Sequence, residues 1–145
     1  MTIIQATKYH LNHLVPLFDA YRVFYKQPSN LDAALHFLKE RFKNKDSIIY
    51  MAFDEDKAVG FMQLYPLFSS VSMKPMYLLN DLFIDPDYRN QHIGTTFIEK
   101  AKSVCVDKKY KGLAIQTEAH NPAQNLYMNL GFKKDTDLHF FWTNK

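Results

Sequence analysis

Cysteine is nearly missing from this chain, with one residue, Cys105, in 145. A single cysteine excludes an internal disulfide and fits a reducing compartment. Also missing is an uncharged apolar run long enough to span a bilayer. The first residues, Met1-Thr2-Ile3-Ile4-Gln5, carry neither the charged region nor the long apolar stretch of a secretory leader. These absences predict a cytoplasmic protein with no membrane partner. Charge of one sign is in small excess, a formal +3. Five lysines fall between Lys100 and Lys111, and a solvated helix face explains them better than a nucleic-acid surface. No group of histidines and carboxylates has metal-ligand spacing, so no metal is expected. Repeats, low-complexity tracts and linkers are absent too, which leaves one domain over 1–145. What is present is a globular composition, 47% hydrophobic and 23% charged, with Phe 12 and Tyr 9 predicting an aromatic-rich core.

In chain order, Thr2 to Thr7 reads as a strand. Leu11, Leu14, Val15, Phe18, Arg22 and Tyr25 recur at helical spacing until Pro28-Ser29-Asn30 breaks the helix. Asn30 or Ser29 caps a second helix through Leu31, Leu35, Leu38 and Phe42. Ser47 to Phe53 and Ala58 to Tyr65 read as strands of a hairpin, joined by the glycine-free turn Asp54-Glu55-Asp56. Pro66 to Pro75 reads as a loop, and Met76 to Ile84 as a buried strand. Asp85-Pro86-Asp87 stops that strand. Ile93, Phe97, Ala101, Val104 and Cys105 then share one face of a helix. Leu113 to Thr117 is a short strand, Pro122 to Leu130 a helix closed by Gly131, and Phe132 to Trp142 a final strand or hairpin. Strand, helix, strand from Met76 to Thr117 is a crossover unit, so its two strands run parallel; the others are joined by short turns and run antiparallel. The fold class is α/β: a mixed, mostly antiparallel sheet with helices on both faces.

The stretch Tyr88-Arg89-Asn90-Gln91-His92-Ile93-Gly94-Thr95-Thr96 lies between the buried strand and its helix. The first N–H groups of a helix have no partner within it, and with the helix dipole they form a site for phosphate oxygens. Arg89 stands at the mouth, where a guanidinium adds a forked contact to a pyrophosphate.

A second segment, Glu118 to Phe132, joins the first in a resemblance to the GNAT superfamily of N-acetyltransferases. Arg89, Ile93 and Gly94 match that family's acetyl-CoA loop, Arg/Gln-x-x-Gly-x-Gly/Ala between a strand and a helix. Ala123, Leu126, Tyr127, Gly131 and Phe132 match its later pattern, Asn-x-x-Ala-x-x-Leu-Tyr-x-x-x-Gly-Phe. The order of elements is similar from end to end, and the strand Leu79 to Ile84 looks like that of diamine acetyltransferases. Three residues depart from the pattern. His92 stands at the loop's middle glycine, His120 at the usual asparagine with Asn121 one residue late, and Asn80 where diamine acetyltransferases carry a glutamate proposed as general base.

The resemblance implies a GNAT-like fold and an acetyl-CoA-dependent transfer, by direct attack, to the primary amine of a small polar acceptor such as an amino acid or polyamine. It implies that the backbone of Leu82, Phe83 and Ile84 binds the pantetheine arm. The amides of Asn90, Gln91, His92, Ile93, Gly94 and Thr95 hold the pyrophosphate, with Asn121 and Asn125 also on the cofactor side. Tyr127 is the general acid for the departing thiolate. Arg22, Tyr25 and Asn80 are expected at the acceptor, where an arginine favours a carboxylate-bearing amine. Asp81, Glu118 and His120 are the titratable candidates for the base. Alternation along a strand puts Asn80 and Asp81 on opposite faces. The rival readings are a protein lysine or N-terminal acetyltransferase and a non-catalytic acyl-CoA-binding module. A homodimer is left open.

Overall fold

The expected hairpin across Asp54-Glu55-Asp56 forms the middle of a five-stranded sheet in the computed structural model, which describes residues 1–144. The strands β1 (Thr2–Gln5), β2 (Ile48–Asp54), β3 (Lys57–Ser69), β4 (Lys74–Ile84) and β5 (Leu113–Ile115) lie side by side in chain order. The first four are antiparallel, and β4 and β5 are parallel, as the crossover requires. This sheet and three helices make up a compact unit, Met1–Ile115, and the remaining residues form a second, Gln116–Lys145. No helix among the described residues is long and apolar enough to cross a membrane.

On one face of the sheet lie α1 (Leu11–Phe24) and α2 (Leu31–Asn44). Leu11, Leu14, Val15, Leu17 and Phe18 of α1 and Ala34 and Leu38 of α2 close over Ile49, Met51, Phe61 and Phe83. Phe18 and Tyr21 set their rings against Phe61 at 5.9 and 5.6 Å. The joint between the helices is polar. Buried Asp19 accepts hydrogen bonds from Ser29 Oγ (2.6 Å) and the Asn30 N–H (2.8 Å), while Asn30 Oδ1 caps α2 by accepting from the Ala33 N–H at 3.0 Å. The Ser29 and Asn30 bonds, with Arg22 nearby, hold the Asp19 carboxyl below its ordinary range.

On the other face lies α3 (Ile93–Asp107), whose buried residues include all five at the expected spacing, Cys105 among them. Burial pushes the Cys105 thiol up, which suits packing rather than reactivity. Two of the lysines are not simply solvated. Lys100 lies over the Tyr50 ring, and Lys108 Nζ donates to the Tyr77 hydroxyl at 2.8 Å.

The segment Pro66 to Pro75, expected as a loop, continues both strands. Pairing runs on from Tyr65↔Leu78 to Ser69↔Lys74, leaving a tight tip where Met73 takes φ 53°. Its two prolines sit in a ribbon that outruns β2, which pairs no further than Leu64, and β5, which starts opposite Tyr77. Such an edge-like position lacks the second ladder that a missing N–H would break.

In the second unit, α4 (Ala123–Asn129) is shorter than the predicted helix. It ends as expected at Gly131, φ 92°: the Phe132 N–H bonds the Tyr127 carbonyl (3.0 Å) and the Gly131 N–H the Met128 carbonyl (3.1 Å). Phe132 to Trp142 was expected to be a strand or hairpin, but among the described residues that segment has no strand. Leu138, Phe140, Phe141 and Trp142 remain exposed. High strand propensity does not form a strand without a ladder partner.

Gly60 sets the spacing of the central pair. A Cβ there would stand 2.9 Å from the Phe83 carbonyl oxygen and 2.9 Å from Ile84 Cδ1. Gly60→Ala is therefore expected to destabilise the fold by about 1–3 kcal/mol, as overpacking against backbone does. Thermal unfolding should show a drop of several degrees, and an unchanged midpoint would mean that β3 and β4 lie farther apart at Gly60.

Candidate functional site

Two features of the first unit meet at the end of β4. The first is the entrance to α3. After the turn at Pro86–Tyr88, Asn90 and His92 both take left-handed backbone, φ 62° and 63°. His92 is the N-cap residue of α3 but makes no side-chain cap. Its carbonyl accepts from the Thr96 N–H (3.0 Å) and hydroxyl (2.9 Å), while its imidazole is exposed. His92 thus holds a left-handed backbone that glycine adopts most readily. A Cβ built on Gly94 meets nothing within 4 Å. The protein's own packing does not need glycine there; open space beside uncapped amides is what a phosphate group would fill.

The second feature is the open flank of β4. Pairing with β5 covers Tyr77 to Leu79 only, and β5 ends at Ile115 while β4 runs on to Ile84. Leu82, Phe83 and Ile84 lie on this extension, with the Phe83 ring buried against α1 and only the backbone suited to a ligand. An extended chain bearing amides pairs with such a flank as a strand would.

Arg89 is built in more firmly than the sequence suggested. Its Nε donates to the Ile84 carbonyl at 3.1 Å, and its guanidinium lies 5.5 Å from the Phe24 ring and 5.7 Å from Phe83. It ties the loop to α1 at the mouth of the site. Arg22 also has a different task from the one expected. Its Nη1 donates to the Pro28 carbonyl (3.1 Å) and lies 3.9 Å from Asp19, so it braces the α1–α2 joint. Tyr25 is half-exposed, its ring 5.0 Å from Tyr21 and 5.3 Å from Phe24.

The largest correction concerns Asn80 and Asp81. Simple alternation puts them on opposite faces, but β4 carries a bulge. Leu64 pairs with Leu79 and Gln63 with Asp81, so Asn80 is an extra residue and the alternation resets. Both side chains then lie on the α1 face, where Asn80 Nδ2 donates to both Asp81 oxygens at 3.0 Å. Tyr21 donates a further hydrogen bond to Asp81. Burial raises the Asp81 carboxyl above its ordinary range, against the pull of those bonds. Burial, then the neighbouring Asp81 charge, push the Tyr21 phenol upward, and the same causes push Tyr65 up to about 12. Tyr21, Tyr65 and Gln63 went unnoticed in the sequence. One signal was available: Tyr21 stands one helical turn before Tyr25.

In the second unit, Tyr127 of α4 is half-buried and meets the Phe132 ring edge-on at 6.2 Å. Asn125 is exposed, and Asn121 Oδ1 accepts from the Ala123 N–H at 2.9 Å, which secures the start of α4. Glu118 and His120 are both exposed.

Comparisons with known proteins give the family and the fold. The model of the acetyltransferase (GNAT) family matches residues 13–132. The chain is 42% identical to the uncharacterized N-acetyltransferase YhfO of Bacillus subtilis (strain 168), over 99% of this chain and 97% of that one. It is similar to the crystal structure of a probable acetyltransferase, with TM-score 0.92 and 34% identity over 100% of this chain and 98% of the other. An aminoglycoside N-acetyltransferase solved in complex with CoA shares the fold at TM-score 0.80 and 22% identity, covering 99% of this chain and 95% of that one.

Two substitutions probe the α3 entrance. Gly94→Ala meets no protein atom and adds helix propensity, so the melting temperature should hold or rise. If a phosphate of acetyl-CoA occupies that open space, the added methyl should lower acetyl-CoA affinity tenfold or more, about 1.4 kcal/mol. His92→Gly should change affinity less than tenfold, because the exposed imidazole takes no part. Titration calorimetry on both variants checks the ranking, and the reverse order would show that the imidazole itself reads the ligand.

Proposed function

The chain belongs to the acetyltransferase (GNAT) family, and on that premise we propose that it moves an acetyl group from acetyl-CoA to the primary amine of a small polar acceptor. The observation that carries this reading is the α3 entrance: uncapped amides, a backbone turned by two left-handed residues, and open space at Gly94 beside the unpaired flank of β4. When bound, acetyl-CoA supplies a thioester, an acyl group activated toward amines. Every remaining task falls to the chain's own residues. The amides from Asn90 to Thr95 neutralise the pyrophosphate, and the α3 dipole adds to their field. Arg89, anchored on the Ile84 carbonyl, holds that loop against α1. The backbone of Leu82 to Ile84 pairs with the pantetheine amides, and an N–H of this strand aims at the oxygen where negative charge develops. Holding both reactants along one strand contributes up to ~7–11 kcal/mol of barrier reduction in ideal cases.

Tyr127 is the proposed proton donor to the leaving sulfur. Its place in Leu126-Tyr127-x-x-x-Gly131-Phe132 supports that role, and the Gly131 helix end fixes the local backbone. Asn121 and Asn125 belong to the same cofactor-side segment; the Asn121 side chain contributes by starting α4.

Three measurements test this reading. Acetyl-CoA at ~100 times its dissociation constant should add about 2.7 kcal/mol of stability, seen as a rise of several degrees in melting temperature. Thiol release over a panel of amino acids, polyamines, aminoglycosides and lysine peptides should show turnover with a small amine. Turnover confined to peptides would make the protein a protein acetyltransferase, and binding without any turnover a carrier. Tyr127→Phe should leave stability and acetyl-CoA affinity intact while slowing single turnover roughly 10²–10⁴-fold, toward the lower end because a thiolate is a good leaving group. A near-normal rate in the folded variant would remove Tyr127 from the chemistry.

A further inference from the structure

The ribbon that joins β3 to β4 carries large apolar side chains into water. Val71 is 96% exposed, Met73 88% and Phe68 78%, with Leu67 beside them at 41%. Single exposed apolar residues need no explanation, but a contiguous group does. Pairing runs up the ribbon from Leu67↔Met76 to Ser69↔Lys74, beyond the last residue that β2 reaches. The backbone of the tip is meanwhile satisfied from within. The Met73 N–H donates to the Ser70 carbonyl at 3.2 Å, and the Ser72 N–H donates to Ser69 Oγ at 3.3 Å. Such a tip can leave water without losing partners for those donors.

Lysines gather at the base of the same ribbon. Lys74 stands on it, paired across the ladder with Ser69. The turn Lys108-Lys109-Tyr110-Lys111 that follows α3 is fastened beside it. The Lys111 N–H donates to the Pro75 carbonyl at 2.8 Å, Lys111 Nζ to Ser69 Oγ at 3.3 Å, and Lys108 Nζ to the Tyr77 hydroxyl at 2.8 Å. Asp107 is the one carboxylate next to that turn in sequence, and from Lys57 to Asn80 the chain has no acidic residue at all. Among the described residues, Lys74, Lys108, Lys109 and Lys111 enter no ion pair. The ribbon thus combines an apolar tip with a cationic base.

We propose that this tip docks on an anionic phospholipid surface. Phe68, Val71 and Met73 enter the boundary between headgroups and acyl chains, and the lysines rest on lipid phosphates. Buried apolar area and attraction to anionic lipid add together in contacts of this kind. A protein partner suits the ribbon less well. A stable protein interface takes about 800 Å² from each side, which a two-stranded tip alone does not offer. Pro66 and Pro75, one on each strand, hinder pairing with a strand from another chain. A second copy seated on the tip would also bring like-charged lysines together. An interfacial contact is not a span, so it revises the expectation of no membrane partner that the lack of a long apolar run suggested. It does not depend on the acetyl-transfer reading.

Co-sedimentation of the full chain tests this, with vesicles of phosphatidylcholine alone and vesicles carrying about 30% phosphatidylglycerol. The protein should sediment with the anionic vesicles only, and less of it as salt rises from ~0.1 to ~0.5 M. A variant with both Val71→Ser and Met73→Ser should partition roughly tenfold more weakly or worse. One with both Lys74→Glu and Lys111→Glu should also bind weakly and lose the salt dependence. All four positions are exposed, so both variants should melt near the wild-type temperature. No sedimentation with anionic vesicles overturns the proposal, and so does equal binding to neutral ones. Binding that survives the serine changes overturns it as well, because the lysines alone would then explain the contact. Sedimentation equilibrium supplies the last outcome: a wild-type dimer that the serine variant abolishes would show a second copy covering the tip, and the lipid reading would fall.

Discussion

The pairing of β3 with β4 is the constraint on which the first unit depends. Among the described residues, β4 is the only strand with an antiparallel neighbour on one side and a parallel one on the other. Its ladder with β3 is close enough at Gly60 to exclude a single methyl group, yet admits one extra residue at Asn80. That residue changes what the strand presents. Before the bulge, Tyr77 and Leu79 face α3; after it, Asp81 and Phe83 face α1 and α2. A strand that would otherwise continue one hydrophobic face places a carboxylate under Tyr21 instead.

The two faces divide the labour. The end of β4 leads into the α3 entrance, whose open amides suit phosphate. The face toward α1 gathers Asp81, Gln63 and Tyr21. One strand joins the α3 entrance to Asp81, so their separation is fixed by backbone rather than by side-chain rotamers. Arg89 reinforces this, since it bonds the end of β4 and stacks on α1 at the same time.

Much of this architecture was legible in the sequence. Helical spacing located α1, α2 and α3, and Asn30 and Gly131 marked a start and a stop through local backbone chemistry that needs no tertiary partner. The crossover rule gave the parallel pair. The α3 entrance was readable because a strand-turn-helix connection exposes amides whatever its residues. What could not be read depended on pairing. A bulge leaves no mark in one strand's composition, since it is a relation between two, so Asn80 and Asp81 were expected on opposite faces. The ribbon from Pro66 to Pro75 looked like a loop because its prolines were judged without knowing how far the flanking strands reached. Arg22 looked free for a ligand because its partner, the Pro28 carbonyl, is a backbone atom that no side-chain pattern reveals.

The left-handed turns carry one more consequence. Seven non-glycine residues among those described take positive φ, including Asn90 and His92, while Gly131 is the one glycine that does. Each such residue strains the backbone by roughly 1–2 kcal/mol, and surrounding structure must hold it there. A chain this poor in glycine also explores fewer conformations when unfolded. At the α3 entrance, the ordering that a glycine-rich loop undergoes on capturing phosphate has already occurred when the protein folds. A stiff loop of this kind gives up less entropy on meeting any ligand.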